Sequence, residues 1–381
     1  MGMFSQNRTM LGDDFEVIAN ESYQGAAGAY RAMTEGFQNS YAVFESCIGL
    51  DFMEAAVVNE SADASEFEIV QEGFAGDFFS KIKEFLVKLI EKIKGIVKSF
   101  ITKVTGTFCK DGKALVNKYK ADVLKKDLSK MKYKWMKKKS VPSLSTTNLS
   151  GIYTTCMRNT SDLKARFDSF DKHGNDSQVK TMDDTNSKYK DELNDNTAME
   201  KDLGTIIGNG TCELSEFAKE FHDKMFDDEE ECEGFGSDGA SLTDIMSDLT
   251  DGKKAISDLE KQQKKQEKET KQLIKDVENA QKAFKNLVPD SSASDKKKAY
   301  MSAVNARLNL AMTAANQIST VQTKYFACLI DESKKYLARC KKVFVQAAAY
   351  RPKSTNEDAI LVNALAEAAE YEVCELFDAI A

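Results

Sequence analysis

Residues 74–104 read FAGDFFSKIKEFLVKLIEKIKGIVKSFITKV, and this stretch decides the fold. Its apolar side chains recur at steps of three and four, the period of an amphipathic α-helix, while lysines and glutamates occupy the other face. Burial of the apolar face is worth more than ~10 kcal/mol, at ~1.5–3 kcal/mol per large side chain. We therefore predict that it packs inside the folded chain, against helices from the C-terminal half. The candidate interaction residues on this face are Phe79, Ile82, Phe85, Leu86, Leu89, Ile93 and Phe100.

The composition of the chain is typical of a helical protein. Its 381 residues include only 3 prolines and 20 glycines, and 30% of them are charged. Composition and apolar periodicity together predict an all-α, elongated fold with a long antiparallel coiled-coil hairpin plus amphipathic and shorter helices. Changes in charge and in turn-forming residues divide the chain into an acidic helical leader (1–72), lysine-rich amphipathic helices (73–139), a polar short-helix region (140–240), the long helical hairpin (241–351) and a C-terminal amphipathic helix (352–381).

The hairpin is the clearest architectural prediction. Residues 242–288 and 294–348 each carry apolar side chains in a continuous alternation of threes and fours, separated by a short turn. Two such helices predict an antiparallel coiled coil, about 70 Å long at 1.5 Å per residue. The register of the first helix is polar at Gln263, Gln266 and Thr270, so we expect loose packing there and a gain in stability from Gln266→Leu.

Shorter helices are expected between the amphipathic helix and the hairpin. Gly106 is expected to end the first helix, because glycine is common just beyond helix C-termini. Thinner apolar stripes then predict a second basic helix at 113–139 and three modest helices near 149–170, 176–207 and 213–231.

Charge is strongly segregated along the chain. Residues 1–79 hold fourteen acidic residues against two arginines, whereas residues 80–139 hold nineteen lysines against five acidic residues. This pattern suggests that the leader neutralises the basic block or masks a polyanion-binding surface on it. The alternative is a solvated lysine face on core helices. The candidate polyanion-binding residues are Lys125, Lys126, Lys132, Lys134, Lys137, Lys138 and Lys139.

The residue types that usually carry chemistry show no catalytic pattern. His173 and His222 lie in polar sequence without a partner at metal-ligand spacing, so structural or solvated roles are favoured. The 8 cysteines are scattered without a CxxC pair, which is typical of reduced thiols in a cytosol. We predict no enzyme, no cofactor and no metal site. A signal peptide and a membrane-spanning segment are also not expected.

Three segments carry a resemblance to a known class of proteins. They are the acidic AVFESCIGLDFMEAAVVNESAD of the leader, the junction FEIVQEGFAGDFFSKIKEFLVKLIEKIKGIVK, and the late AAAYRPKSTNED, in which a Tyr-Arg-Pro-Lys break follows the long helix. Together they resemble helical virion structural proteins, including internal head proteins, of large-genome tailed bacteriophages. The resemblance implies a many-copy, non-enzymatic particle component that is made in the host cytoplasm. It implies other virion proteins as partners and no small-molecule substrate.

Two further functions compete with this interpretation. A membrane-surface-active protein could lay helix 78–104 on anionic lipid, which requires that its apolar face be exposed. A sequence-independent nucleic-acid-binding protein could use the basic block 80–139 against phosphates.

The leader has two possible fates. The phage resemblance implies proteolytic removal after a small-X-Glu pattern, such as Ala64-Ser65-Glu66. Alternatively, residues 1–72 stay attached as a peripheral helical cap.

Overall fold

The structure is built almost entirely from α-helices, which confirms the all-α prediction. A computed structural model describes residues 72–161, 176–236, 240–284 and 295–351. The leader, the hairpin turn and the C-terminal helix predicted above lie outside these ranges. The elements in chain order are α1 (Glu72–Lys103), a π-helical turn (Val104–Phe108), α2 (Cys109–Lys125), β1 (Lys132–Trp135), α3 (Thr147–Ser161), α4 (Asp176–Asn194), α5 (Thr197–Ile207), α6 (Phe217–Met225), β2 (Glu230–Glu233), α7 (Leu242–Asp251), α8 (Lys253–Phe284) and α9 (Asp295–Ala349).

Helix α9 is the element around which the others pack. It is a single helix of 55 residues, within one residue of its predicted bounds, and it contacts each of α1 to α8 as well as β1. The residues of its predicted apolar register are all buried, and they are Val304, Leu308, Ala311, Ala315, Ile318, Tyr325, Leu329, Tyr336, Val343 and Ala347. Phe326, Leu337 and Phe344 are buried too, although each lies about 100° further around the helix than its buried neighbour. Helix α9 is therefore enclosed more widely than a coiled-coil seam requires.

Helix α1 packs antiparallel against α8, and this is the most extensive contact between two elements. Two ion pairs give the register: Lys83 Nζ lies 2.6 Å from Glu278 Oε1, and Lys94 Nζ lies 2.9 Å from Glu267 Oε1. Eleven residues forward on α1 thus match eleven residues back on α8. Burial of the apolar face is confirmed for Phe79, Ile82, Leu86, Leu89, Ile90, Ile93, Val97, Phe100 and Val104, while Phe85 and Ile101 are half-buried and Ile96 is exposed.

The chain departs from regular α-helix at two neighbouring points, the C-terminal end of α1 and the N-terminal end of α8. The π-helical turn continues the chain from α1 into α2, so the prediction that Gly106 ends the helix is wrong. Between α7 and α8, Gly252 adopts a left-handed conformation with φ of 58°. A Cβ at this position would lie 2.5 Å from Val104 Cγ1. The positive φ and the closeness of Val104 therefore both require glycine here. The predicted unbroken helix 242–288 is therefore two helices.

The predicted coiled coil between the two long helices is not confirmed. Helices α8 and α9 run antiparallel, but each packs more extensively on other helices, with α3 against both of them. The connector before α3 also lies between them. The Tyr325 hydroxyl on α9 donates a hydrogen bond to the Pro142 carbonyl (2.6 Å), and the Leu144 N–H donates one to Gln262 Oε1 on α8 (3.2 Å). The apolar faces of α8 and α9 are both present, but α8 packs mainly on α1 and α3, whereas α9 packs mainly on α3 and α4.

The segment after α2 forms a strand, which corrects the predicted helix at 113–139. Helix α2 ends at Lys125, because the next residue is extended. Burial along β1 then alternates, with Tyr133 and Trp135 inside and the two lysines outside. Strand β1 pairs antiparallel with β2, about a hundred residues later in the chain. The period-two pattern of a half-buried strand was present in the sequence, within a segment that otherwise has helical spacing.

The polar region folds into shorter elements than predicted. The expected helix 176–207 is two helices, because Asn196 between α4 and α5 adopts a left-handed conformation with φ of 57°. Asparagine tolerates this conformation better than most residues. The expected helix 213–231 contains only α6, after which the acidic run continues into β2.

Leu89→Ala is expected to lower the free energy of unfolding by about 2–5 kcal/mol, because it leaves a cavity in the α1–α8 interface. The leucine side chain is 4% exposed. Urea denaturation followed by circular dichroism measures the change. Val87→Ala is the matched control on the same helix, since Val87 is 36% exposed. It should cost no more than about 0.5 kcal/mol. Equal losses in the two variants would contradict the packing described.

The hydrogen bonds in the polar centre of α8 lead us to expect a loss of stability from Gln266→Leu, rather than the gain expected from its position in the apolar register. Gln266, Thr270 and Gln322 are fully buried, and Gln266 Nε2 donates to Gln322 Oε1 (2.9 Å) and to Thr270 Oγ1 (3.1 Å). Gln266→Leu alone removes the shorter bond to the buried Gln322 amide. It should therefore lower the free energy of unfolding by about 1–3 kcal/mol.

The double variant Gln266→Leu/Gln322→Leu tests the reason for this loss. It replaces both amides with apolar groups of similar size, so its melting temperature should recover towards that of the unchanged chain. A single variant more stable than the unchanged chain would show that the network contributes little.

Candidate interaction surfaces

The apolar face of α1 contributes to the core of the described unit. Six of its seven candidate interaction residues are buried, and Phe85 is half-buried. They lie where α1 meets α8 and α9. Their side chains therefore already have apolar partners within the chain, and this face is not an open surface.

The candidate polyanion-binding lysines divide into two groups. Lys126 donates hydrogen bonds to the carbonyls of Ala347 (3.4 Å) and Ala348. These carbonyls lie at the C-terminal end of α9, where the helix dipole stabilises a positive charge. Ion pairs hold three more, at Lys132–Glu231 (3.1 Å), Lys138–Asp258 (2.7 Å) and Lys139–Asp227 (2.9 Å). The other three, Lys125, Lys134 and Lys137, are exposed. The seven lysines therefore do not form one open surface.

Acidic residues from the C-terminal half oppose much of the basic block. Six lysines between residues 83 and 139 form ion pairs with carboxylates between residues 227 and 278. Most of these pairs lie on exposed surfaces, where each contributes little to stability. Their number instead shows that charges segregated along the sequence are neighbours in space. The partner carboxylates are Glu278, Glu267, Asp251, Glu231, Asp258 and Asp227.

The Asp248 carboxylate joins α7, α8 and α9. It is almost fully buried and accepts hydrogen bonds from the Tyr336 hydroxyl (2.6 Å) and from the Lys254 N–H (3.1 Å) at the start of α8. The Tyr336 ring also contacts Trp135 on β1, which ties the strand pair to the helices. Burial raises the pKa of Tyr336 and of the neighbouring Cys340 thiol, so both stay protonated at neutral pH. This cluster therefore has a structural role, because it connects three helices and the strand pair.

Asp202 on α5 caps the first turn of α3 from outside that helix. Its carboxylate is fully buried and accepts bonds from the backbone N–H groups of Asn148 (2.8 Å) and Leu149 (3.0 Å). Those groups lie at a helix N-terminus, where amides lack intrahelical partners. Burial raises the pKa of Asp202, and the hydrogen bonds oppose that rise. The carboxylate thus connects two short helices that sequence reasoning treated separately.

His222 has a partner that its local sequence did not reveal. Its Nδ1 lies 2.6 Å from Glu332 Oε2 on α9, and Lys335 Nζ lies 3.0 Å from the other oxygen of that carboxylate. The Glu332 side chain is almost fully buried, so these contacts anchor α6 to α9. His173 lies outside the described residues. The favoured structural role of His222 is consistent with this geometry.

The described cysteines are free thiols, and five of the six are buried. Burial raises the pKa of Cys109 and Cys328 to about 11, so these thiols are protonated at neutral pH. Within the described ranges, no three histidine, cysteine or carboxylate side chains come together as a metal-binding group. The helices in those same ranges are not long and apolar enough to cross a membrane.

One basic surface was missed by sequence reasoning. The solvent side of α8 carries exposed lysines at three- and four-residue steps, and we call this row the α8 lysine ridge. Its signal was present in the sequence, but the apolar positions of the same helix dominate the pattern there. The ridge comprises Lys261, Lys264, Lys268, Lys271, Lys275 and Lys282.

Comparisons with protein-family models, with curated proteins and with solved structures give no match to this chain.

Lys92→Met is expected to raise the melting temperature at pH 7. Burial lowers the pKa of Lys92 from 10.5 to about 8, so the folded state disfavours its charge. Between about pH 8 and pH 10.5 the unfolded state binds more protons at this site, and the stability of the unchanged chain rises with pH. The advantage of Lys92→Met should therefore shrink at about pH 10.

Thermal melts of both chains at about pH 7 and about pH 10 provide the measurement. Lys98→Met is the control, because Lys98 is exposed on the same helix. Its effect on the melting temperature should be small at both values. A gain from Lys92→Met that does not depend on pH would show that packing, rather than charge, is responsible.

Proposed function

We propose that this chain is a non-enzymatic structural or packaged component of a bacteriophage particle that acts through helical surfaces. The three segments that resemble phage virion proteins supply the reason for placing it in a particle. The observation that carries the structural role is the use of its buried carboxylates. Asp202, Asp248 and Glu332 each connect separate helices, as expected of a framework.

The packing of α1 favours this function over a membrane-surface role. A helix that lies on a bilayer exposes its apolar face to lipid. Here that face is covered by α8 and α9, and Lys83 and Lys94 connect the edge of α1 to α8 by ion pairs. Insertion into a membrane would require separation of α1 from the core.

The proposal is tested on purified phage particles whose genome encodes this chain. Quantitative mass spectrometry is expected to find the chain in many copies per particle, at a constant ratio to the major capsid protein. The control is the soluble fraction of the same infected cells. A chain abundant in that fraction and absent from the particles would contradict the proposal.

The same peptides report on the fate of the leader. A mature N-terminus between Phe67 and Gly73 would support proteolytic removal. Abundant particle peptides from Asp13 to Arg31 would show that the leader is retained.

A further inference from the structure

The α8 lysine ridge is a line of exposed lysines along one side of the helix. From Lys261 to Lys275 the lysines follow steps of three, four, three and four, and Lys282 extends the line by seven residues. All six side chains are exposed. At 1.5 Å per residue the line is about 32 Å long, because 3.6-residue periodicity keeps these positions on one side of the helix.

The acidic residues of α8 are placed mainly away from this line. Glu267 and Glu278 lie on the edge that faces α1, where they pair with Lys94 and Lys83. Asp276 is buried and accepts a hydrogen bond from Thr154. On the same edge, Glu267 also pairs with the ridge residue Lys271 at 2.6 Å, and Glu278 lies three residues from Lys275 and four from Lys282. Most carboxylates that could neutralise the ridge are therefore engaged with neighbouring elements.

Two further acidic residues lie near the ridge. Glu260 is exposed at its N-terminal end. Glu269 lies on the other edge of α8 and is 3.8 Å from Lys265, which also donates to Ser143 Oγ (2.9 Å) in the connector before α3. Glu260 lies four residues before Lys264, whereas Glu269 is not at a three- or four-residue step from any ridge lysine.

This arrangement is unfavourable for an isolated helix. Lysines three and four residues apart repel one another, whereas a helix selected only for stability alternates lysine and glutamate at these steps. Nucleic acid carries a condensed counterion atmosphere, and lysines that neutralise its phosphates release those counterions, which favours binding.

Helix α1 widens the basic surface at the edge of the ridge. Lys83 and Lys94 pair with α8 but keep side chains that are 43% and 45% exposed. Lys98, four residues beyond Lys94, is exposed as well. The surface thus has one continuous line on α8 and a shorter flank on α1.

We propose that the α8 lysine ridge binds the phosphate backbone of nucleic acid without reading its sequence. A lysine ammonium is a compact point charge that lacks the planar fork with which arginine recognises bases. The exposed residues between the lysines, Gln272 and Asn279, are polar and suit contacts to phosphate and sugar.

A nucleic-acid backbone fits the ridge better than a lipid surface. Membrane-surface helices combine lysines with exposed apolar anchors. Among the described residues, the exposed large apolar side chains are Val87, Ile96 and Leu124, which lie on α1 and α2 rather than on the ridge. The inference goes beyond the proposed function, because it concerns a chemical partner and holds whether or not the chain is part of a particle.

The test uses the full chain and a fluorescent, mixed-sequence DNA duplex of about 30 base pairs. Anisotropy titrations from about 50 to about 200 mM salt give the dissociation constant and its salt dependence. The ridge variant is Lys261→Gln/Lys264→Gln/Lys268→Gln/Lys275→Gln. It should weaken binding by at least about tenfold at about 150 mM salt and reduce the salt slope by about 3–4, since each phosphate that a lysine neutralises adds roughly 0.9 to that slope.

A matched variant separates the ridge from the basic block. Lys125→Gln/Lys130→Gln/Lys134→Gln/Lys137→Gln removes the same charge from exposed positions of that block, so it should keep most of the affinity and slope. Circular dichroism and thermal melting confirm that both variants fold. Equal losses in the two variants would overturn the proposal, and so would a ridge variant that binds DNA as well as the unchanged chain.

A second titration addresses lipid as the source of phosphate. Vesicles of phosphatidylcholine with phosphatidylserine are offered to the same three chains. The proposal expects DNA binding that depends on the ridge, with weaker binding to vesicles. Ridge-dependent binding to vesicles without binding to DNA would assign the surface to lipid and overturn it.

Discussion

The enclosure of α9 is the constraint on which the described structure depends. A 55-residue helix that contacts eight other described helices buries polar as well as apolar side chains, and a buried polar group is costly unless it is hydrogen-bonded. Arg307 reaches Asn186 on α4, Gln322 reaches Gln266 on α8, and Tyr336 reaches Asp248 on α7. These partners lie at successive levels along α9. They therefore fix which helix packs at which height, a specificity that apolar contact alone does not supply.

Electrostatics follow from this packing. Because α1 lies antiparallel to α8, lysines from the first third of the chain meet carboxylates from the last third. The lysine-rich strand β1 likewise meets the acidic strand β2. The sequence of the basic block is typical of a polyanion-binding segment, but several of its lysines form ion pairs within the fold. The same pairings turn Glu267 and Glu278 of α8 towards α1, while the ridge lysines lie on the solvent side.

The two basic surfaces differ in a way that bears on function. Lys126, Lys138 and Lys139 are held by carbonyls or carboxylates, so their replacement would disturb structure as well as charge. The ridge lysines Lys261, Lys264 and Lys268 are exposed along one line, so they can be replaced with less risk to the fold. Under the two proposals, the ridge would hold a linear polyanion while other helices of the described part of the chain contact protein.

The sequence by itself determined the helical class, the bounds of α9 and the buried face of α1. These features depend on local periodicity, and three- and four-residue spacing reports which side of a helix avoids water. Periodicity does not say what covers that side. Only the tertiary structure decided that α1, rather than α9, is the main antiparallel partner of α8. It also decided that residues 132–135 form a strand, because their partner lies about a hundred residues away, and that Gly252 breaks a helix, because Val104 packs against it.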